Sequence, residues 1–142
     1  MEEPMADCIF CNVAGDALVY SGADGFVILD DPVRPGHVLV GTRSHKETLS
    51  DLSTSDAEAV MRLANRVAKA IVKELGAEKV YVTAIGDKDK HFHVHLLPKM
   101  SGDPDLGPHI FGAEGWISFL PQSIGEEDVA RVNVAIRAAL EE

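Results

Sequence analysis

The chain has 142 residues, 46% of them hydrophobic and 25% charged, and its formal net charge at pH 7 is −10. This length suits a hydrophobic core of ordinary size, so we expect one domain over residues 1–142. The acidic charge disfavours nucleic acid or an anionic membrane as the main partner, because both bind basic surfaces. The sequence has no apolar run of about 18 residues that would predict a membrane span. Its first residues, Met1-Glu2-Glu3-Pro4, lack the pattern of a signal peptide, so we expect a cytoplasmic protein.

The first part of the chain predicts a turn, a hairpin and a strand. A short helical turn over residues 7–14 would carry both cysteines. Two apolar runs flank residues 21–25, Ser-Gly-Ala-Asp-Gly, which predicts a hairpin with a five-residue loop. The β-branched run at 37–41 predicts a further strand.

A helix follows, and its start, apolar face and end all have sequence signals. Ser55-Asp56-Ala57-Glu58 has the pattern of a capping box. Apolar residues then recur at helical spacing, at Val60, Leu63, Ala64, Val67, Ile71 and Leu75. Gly76 is a typical helix end. Beyond it, residues 80–85 predict a strand and residues 86–90 a turn.

The last part of the chain predicts a strand, a loop and a second helix. The strand begins at residue 91 and stops near Pro98. Residues 100–115, rich in Gly, Pro and Asp, predict a loop. Ser123-Ile124-Gly125-Glu126 is a second capping box, and it precedes an apolar stripe of Val129, Val132, Ile136 and Leu140. Together the elements predict an α+β fold with a mostly antiparallel sheet of five strands and two main helices.

The most informative segment is His91-Phe92-His93-Val94-His95-Leu96-Leu97. A strand sends alternate side chains to opposite faces, so the three imidazoles would line one face over about 13 Å. Two mechanisms fit this spacing. The histidines could be metal ligands. Alternatively, one neutral imidazole is a nucleophile toward phosphorus, its second nitrogen held protonated by a backbone carbonyl.

This segment matches the signature of the histidine triad (HIT) family at all seven positions: His-φ-His-φ-His-φ-φ, with φ apolar. Asp7-Cys8-Ile9-Phe10-Cys11 resembles the family's N-terminal motif. Leu29-Asp30, followed by Pro35-Gly36-His37-Val38-Leu39-Val40, resembles its nucleotide-binding segment. The resemblance covers about residues 7–99, with residues 100–142 as a C-terminal loop and helix, and it implies the HIT-like fold.

The resemblance also implies a reaction. His93 would attack the α-phosphorus of a nucleotide, and water would release the nucleoside monophosphate from the nucleotidyl-histidine. His95 would hold the phosphoryl oxygens, and His37 would lie beside the triad. Transferase branches of the family carry Gln at the third triad position, so His95 favours hydrolysis. The implied substrates are nucleoside phosphoramidates, aminoacyl-nucleotides or dinucleoside polyphosphates.

Further residues match the family's substrate-binding positions. Asp30 would accept hydrogen bonds from the ribose hydroxyls. The base pocket, for a purine, would include Ile9, Phe10 and Val13. Many members carry a Gly-Gln-Ser-Val type segment before the triad, with an Asn upstream. The turn at 86–90 replaces that segment here, and the candidate substitutes are Thr83, Lys88, Lys90 or turn amides. The family resemblance also implies a homodimer whose two sheets join.

Cys8-x-x-Cys11 is, by itself, compatible with a redox pair, half of a metal site or two packed thiols. A redox pair would be expected in a thioredoxin-like context that this chain lacks. The zinc-carrying members of the family imply a structural zinc bound by Cys8, Cys11, His45 and His91. The alternative is that the cysteines pack as small apolar residues.

The sequence is compatible with two other functions. One is a metal-dependent enzyme that uses the three histidines of residues 91–95 directly as ligands. The other is a nucleotide-binding module with little turnover.

Overall fold

The structure is a computed structural model that describes residues 8–13, 15–112, 115–116 and 125–141. Its strands are β1 (Leu18–Gly22), β2 (Gly25–Ile28), β3 (Val38–Gly41), β4 (Lys79–Thr83), β5 (His93–Lys99), β6 (Phe111–Gly112) and β7 (Gly115–Trp116). Its helices are α1 (Thr54–Leu75) and α2 (Glu126–Leu140).

Five of these strands form one antiparallel sheet in the order β1-β2-β3-β5-β4. The pair β6 and β7 forms a small sheet of its own. The predicted fold class, an α+β fold with a five-stranded antiparallel sheet and two main helices, is confirmed. Strand β5 lies between β3 and β4, so side chains from both neighbours border its histidines.

The two faces of this sheet differ in what covers them. Alternate residues of β3 and β5 pack with the helices in the main core, among them Val38, Val40, Val94 and Leu96. The intervening residues lie on the opposite face, where Leu39 joins Phe10 and Ile28 in a second apolar cluster. Burying each such side chain stabilises the fold by about 1.5–3 kcal/mol. The helices therefore occupy one face, and the histidines of β5 occupy the other.

Helix α1 follows the predicted stripe but begins earlier than predicted. Its N-cap is Ser53, whose side chain accepts a hydrogen bond from the Asp56 N–H at 3.0 Å. The capping box at Ser55 was therefore wrong, because Ser55 lies inside the first turn. The predicted apolar positions are buried or packed against the core, and the left-handed Gly76 (φ 66°) ends the helix as predicted.

Helix α2 also departs from its predicted start. The N-cap is Gly125, which has no side chain to cap with. Ser123, the first residue of the second predicted capping box, lies outside the described residues. The predicted apolar stripe is buried, at Val129, Val132, Ile136 and Leu140.

The β1–β2 hairpin is tighter than predicted. The strands continue to Gly22 and Gly25, which pair with each other, so the loop has two residues rather than five. Gly25 has φ +150°, and a Cβ there would lie 2.3 Å from the Gly41 carbonyl oxygen. Only glycine allows β2 to approach β3 so closely at this turn.

The other predicted elements differ mainly in their ends. Strand β4 stops at Thr83 instead of residue 85, and β5 continues through Pro98. The predicted loop at 100–115 contains a 3₁₀ turn at Gly107–Ile110 and then β6. Within the described ranges, no helix is both long and apolar enough to cross a membrane.

Candidate active site

The face of the sheet away from the helices brings histidines of two strands together. His93 lies opposite Gly41 of β3, and His95 lies opposite Leu39. A Cβ on Gly41 would come within 2.4 Å of the Phe10 ring. The absence of a side chain at Gly41 therefore leaves the space that Phe10 fills beside His93.

His91 precedes β5 instead of lying in it, so the prediction of three histidines on one strand is wrong for this residue. Its ring nevertheless lies on the same side as that of His93. The Phe10 ring contacts both, with centroids 5.0 Å from His91 and 5.2 Å from His93. The Nε2–H of His91 donates to the Thr42 carbonyl at 2.6 Å, which leaves the lone pair on Nδ1.

That Nδ1 atom belongs to a compact cluster formed by Cys8, Cys11, His45 and His91. The helical turn predicted around the cysteines is present over the described residues, since the Asn12 N–H donates to the Cys8 carbonyl at 3.1 Å. The four ligand atoms all lie within 4.8 Å of one another. Burial raises the pKa of the Cys8 thiol above its usual 9.0.

The cluster has the donor set and the dimensions of a tetrahedral zinc site. Zinc–sulfur bonds of about 2.3 Å and zinc–nitrogen bonds of about 2.0–2.1 Å place ligand atoms roughly 3.3–3.8 Å apart. The His45 and His91 Nδ1 atoms are 3.1 Å apart, and Cys11 Sγ lies 3.3 Å from His45 Nδ1. The His91 Nδ1 atom lies 3.4 Å from Cys8 Sγ and 3.7 Å from Cys11 Sγ. The bond from His91 to the Thr42 carbonyl orients the ring as partners of metal-binding histidines commonly do. The four residues therefore fit zinc.

His93 has a different partner. Its Nδ1–H donates to the His91 carbonyl at 2.7 Å, so the neutral ring carries its lone pair on Nε2. The side chain is 4% exposed. This is the arrangement in which an imidazole acts as a nucleophile through Nε2.

His37 and His95 form a hydrogen-bonded pair next to His93. The Val33 N–H donates to His37 Nδ1 at 3.0 Å, so His37 carries its proton on Nε2. That proton points at His95 Nδ1, 3.1 Å away, and His95 in turn carries its proton on Nε2. Burial, followed by repulsion from a neighbouring imidazole, lowers the pKa of both rings from 6.5 to about 4. Both are therefore neutral at pH 7.

Asp30 lies half-buried near this group. Burial, together with the carboxylates of Asp31 and Asp89, raises the pKa of Asp30, whereas His93 opposes that shift. Asp89 also favours the charged form of His95. The turn at 86–90 therefore brings a carboxylate into electrostatic contact with both residues.

The apolar residues predicted for the base pocket occupy different environments. Ile9 and Val13 are partly buried and pack against the cluster that contains Phe10. Phe10 itself is 1% exposed and lies between imidazole rings. Thr83 lies directly opposite His95 on β4, on the same face of the sheet.

Sequence reasoning predicted that a backbone carbonyl holds the proton of the nucleophile, but it did not identify which backbone groups set the proton positions of the histidines. These are backbone atoms, namely the Val33 N–H and the Thr42 and His91 carbonyls. Every residue carries such atoms, so no residue type signals them. Asp89 was missed for another reason: an acidic residue in a charged turn is usually solvated surface, and only the tertiary arrangement brings it near His95.

Comparison with known proteins agrees with this geometry. The model of the HIT domain family matches residues 13–102. An uncharacterized HIT-like protein of Saccharolobus solfataricus is 32% identical over 109 residues, covering 70% of this chain and 78% of that protein. The fold and the histidine-bearing face are those of a histidine triad protein, and the chain belongs to the HIT domain family.

Solved structures share the fold at lower identity. A zinc-bound histidine triad family protein from Mycobacterium smegmatis superimposes with a TM-score of 0.70 at 23% identity, covering 95% of this chain and 94% of that one. The diadenosine triphosphate hydrolase of Plasmodium falciparum, solved with cyclomarin A, gives 0.65 at 15% identity, covering 92% and 80%.

Proposed function

We propose that this protein is a nucleotide hydrolase that cleaves its substrate at the α-phosphorus through a nucleotidyl-histidine at His93. The observation that carries the proposal is the 2.7 Å bond from His93 Nδ1 to the His91 carbonyl. It keeps the proton on Nδ1 and the lone pair on Nε2. The Plasmodium falciparum protein that shares the fold is a diadenosine triphosphate hydrolase, which supports the reaction class.

The reaction proceeds in two displacements at phosphorus. His93 Nε2 forms a bond to the α-phosphorus as the bond to the leaving group breaks, and an amine leaving group takes a proton from solvent, which the attacking water of the second step returns. Water then attacks the same phosphorus, the N–P bond breaks, and the nucleoside monophosphate leaves. The scissile bond is the P–N bond of a phosphoramidate, the mixed anhydride of an aminoacyl-nucleotide or the P–O–P bond of a dinucleoside polyphosphate.

The neighbouring residues stabilise the charge that develops. His95 donates its Nε2–H to a non-bridging oxygen, and its Nδ1 stays bound to His37. Thr83 reaches the same face from β4 and supplies a hydroxyl where many members carry an Asn or Ser. Asp30 accepts hydrogen bonds from the ribose. Ile9 and Val13 form the apolar wall for a purine, with Phe10 beneath it.

The cluster of Cys8, Cys11, His45 and His91 holds a structural zinc in this proposal. Among the residues that the structure describes, it is the one group with metal-binding composition and spacing. The zinc ties the N-terminal turn to the sheet and takes no part in the displacement at phosphorus. Metal analysis of freshly purified protein should find one zinc per chain, and a protein without zinc would remove this assignment.

Replacing His93 tests the nucleophile. His93→Ala should lower kcat for an adenosine phosphoramidate by at least about 10³-fold, because the covalent step is lost. Quenched reactions analysed by mass spectrometry should show a nucleotidyl adduct on His93 in the unmodified protein and none in the variant.

The matched control is His109→Ala, because His109 is exposed and lies in the 3₁₀ turn at Gly107–Ile110. This variant should keep full activity. Zinc content should be the same in all three proteins. Loss of zinc on replacing His93 would favour a metal site built from the triad. Micromolar nucleotide binding without turnover by the unmodified protein would favour a binding module.

A further inference from the structure

The ring of His91 is part of the metal cluster, whereas its backbone carbonyl accepts a hydrogen bond from His93, the proposed nucleophile. The ring Nδ1 lies 3.1 Å from His45 Nδ1 and 3.4 Å from Cys8 Sγ. The carbonyl of the same residue accepts the Nδ1–H of His93 at 2.7 Å. A rotation of the His91 backbone would therefore disturb both sites at once.

Phe10 makes a second connection between the two sites. It lies between the two cysteines in the chain, so the turn that presents both thiols also carries this ring. The ring contacts the imidazoles of His91 and His93 and fills the space above Gly41. Displacing the turn would remove the packing that supports the nucleophile's ring.

The cluster also joins segments that are distant in sequence. Cys8 and His91 are 83 residues apart, and Cys11 and His45 are 34 residues apart. Metal binding in such a site contributes to folding, because the unfolded chain has no preformed site. The His91 ring is additionally held by the Thr42 carbonyl, so its backbone has little freedom while all four ligands are engaged.

We propose that metal bound in the cluster positions the nucleophile. His91 and Phe10 are the positioning residues, because they connect the metal-bound cluster to the His93 ring. The metal-loaded cluster keeps the His91 carbonyl on His93 Nδ1 and so keeps Nε2 as the attacking atom. The loss of activity expected below rests on the proposed hydrolase function, whereas the proton position on His93 does not.

The direct test compares zinc-loaded protein with protein stripped by a chelator. The ¹⁵N shifts of His93, measured at pH 8, report which nitrogen carries the proton. Loaded protein should show the Nδ1–H form alone, and stripped protein a mixture of both forms. For an adenosine phosphoramidate, kcat should fall by at least about tenfold on stripping, with KM changed less than about twofold. Adding zinc back should restore both.

Stripped protein that stays folded, with the same ¹⁵N shifts and kcat, would overturn the proposal. A His93→Ala variant that retains turnover would instead contradict the hydrolase mechanism, and it would leave the ¹⁵N result standing. The two failures are therefore distinguishable.

Phe10→Leu provides the test that does not depend on stripping, and it decides the matter if the stripped protein unfolds. This substitution removes no metal ligand, so zinc content should stay at one per chain. Because the ring supports His93, kcat should fall several-fold at unchanged KM, and the His93 shifts should move toward the mixture. The matched control is Tyr20→Leu, which removes a half-buried ring of β1 that packs against the main core and should change neither value. A raised KM at unchanged kcat would show that Phe10 is a wall of the base pocket and would overturn its positioning role.

Discussion

At the scale of single residues, the histidines of this protein differ because their backbone partners differ. The His91 ring donates from Nε2 to a carbonyl, and the His93 ring donates from Nδ1 to another. The first bond leaves the Nδ1 lone pair of His91 toward the metal cluster, and the second leaves the Nε2 lone pair of His93 for the proposed attack on phosphorus. His95 receives its proton position from His37, which receives its own from the Val33 N–H. Identical side chains two residues apart thus present different nitrogens.

Asp89 offers a test of substrate preference at this scale. Its carboxylate interacts electrostatically with His95 and Asp30, so it should repel an anionic polyphosphate leaving group by about 1 kcal/mol at the separations of such a site. Asp89→Asn should raise kcat/KM for a dinucleoside polyphosphate several-fold relative to an adenosine phosphoramidate, as measured by steady-state kinetics on both substrates.

Asp87→Asn is the matched control, because Asp87 is an exposed carboxylate of the same turn. It should leave the ratio of the two kcat/KM values unchanged. An equal change for both substrates in the Asp89 variant would contradict the repulsion argument.

At the scale of elements, the position of β5 between two antiparallel strands determines which residues meet. β3 carries Leu39 and Gly41 opposite His95 and His93, and β4 carries Thr83 opposite His95. The pairing of β3 with β5 also places the loop before β3, with His37, next to His95. The site is therefore a product of strand order, because its residues come from separate parts of the chain.

The His37–His95 pair predicts a pH dependence of stability. The folded pKa values of about 4 lie below the unfolded value of 6.5, so the unfolded chain binds these protons first as pH falls. The pair contributes almost nothing to the pH dependence of the free energy of unfolding above pH 6.5. It lowers that free energy as the pH falls from 6.5 to 4. For the more buried His37, the free energy of unfolding should fall by roughly 2 kcal/mol between pH 7 and pH 5.

Urea unfolding at several pH values checks this prediction. A variant with both His37→Gln and His95→Gln should show a shallower loss over the same window, because glutamine does not titrate. The other titrating groups affect both proteins equally, so the difference between the two slopes of unfolding free energy against pH reports the His37–His95 pair. Parallel curves for the two proteins would contradict the buried, neutral state of the pair.

At the scale of the whole molecule, the two ends of the sheet differ in what covers them. α2 contacts β1 at one end of the strand order and donates from Arg137 to the Val19 carbonyl. At the other end, β4 is the edge strand of the sheet within the described residues, and Val82 of β4 and the nearby Ile85 are 49% and 53% exposed. Exposed apolar residues on an open edge are typical of a surface that pairs with another chain. We therefore propose the β4 edge as the interface of the expected homodimer.

Light scattering after gel filtration tests the dimer. The unmodified protein should have twice the chain mass of 15.3 kDa, and a variant with both Val82→Lys and Ile85→Lys should have the mass of one chain. Val134→Lys is the control, because Val134 is 59% exposed on α2, an element that packs mainly against α1 and β1, away from the β4 edge. A monomeric unmodified protein, or a dimer that survives the two lysines, would reject this interface.

The sequence by itself determined the features that depend on local pattern. The stripe from Val60 to Leu75 predicted α1, because helical periodicity requires only neighbouring residues. The alternation at 91–97 predicted the strand that bears His93 and His95. The start of α1 was predicted wrongly at Ser55, because several nearby residues offer similar caps and only packing selects one.

The tertiary structure alone decided the features that join distant residues. It brought Cys8 to His91, gave Phe10 its place above Gly41 and moved Asp89 close to His95. It also selected the protonated nitrogen of each imidazole, because backbone donors and acceptors with no sequence signature make that choice. The sequence therefore predicted which residues compose the site, whereas the proposed roles of their individual nitrogens, toward metal, phosphate or the attacked phosphorus, depend on the fold.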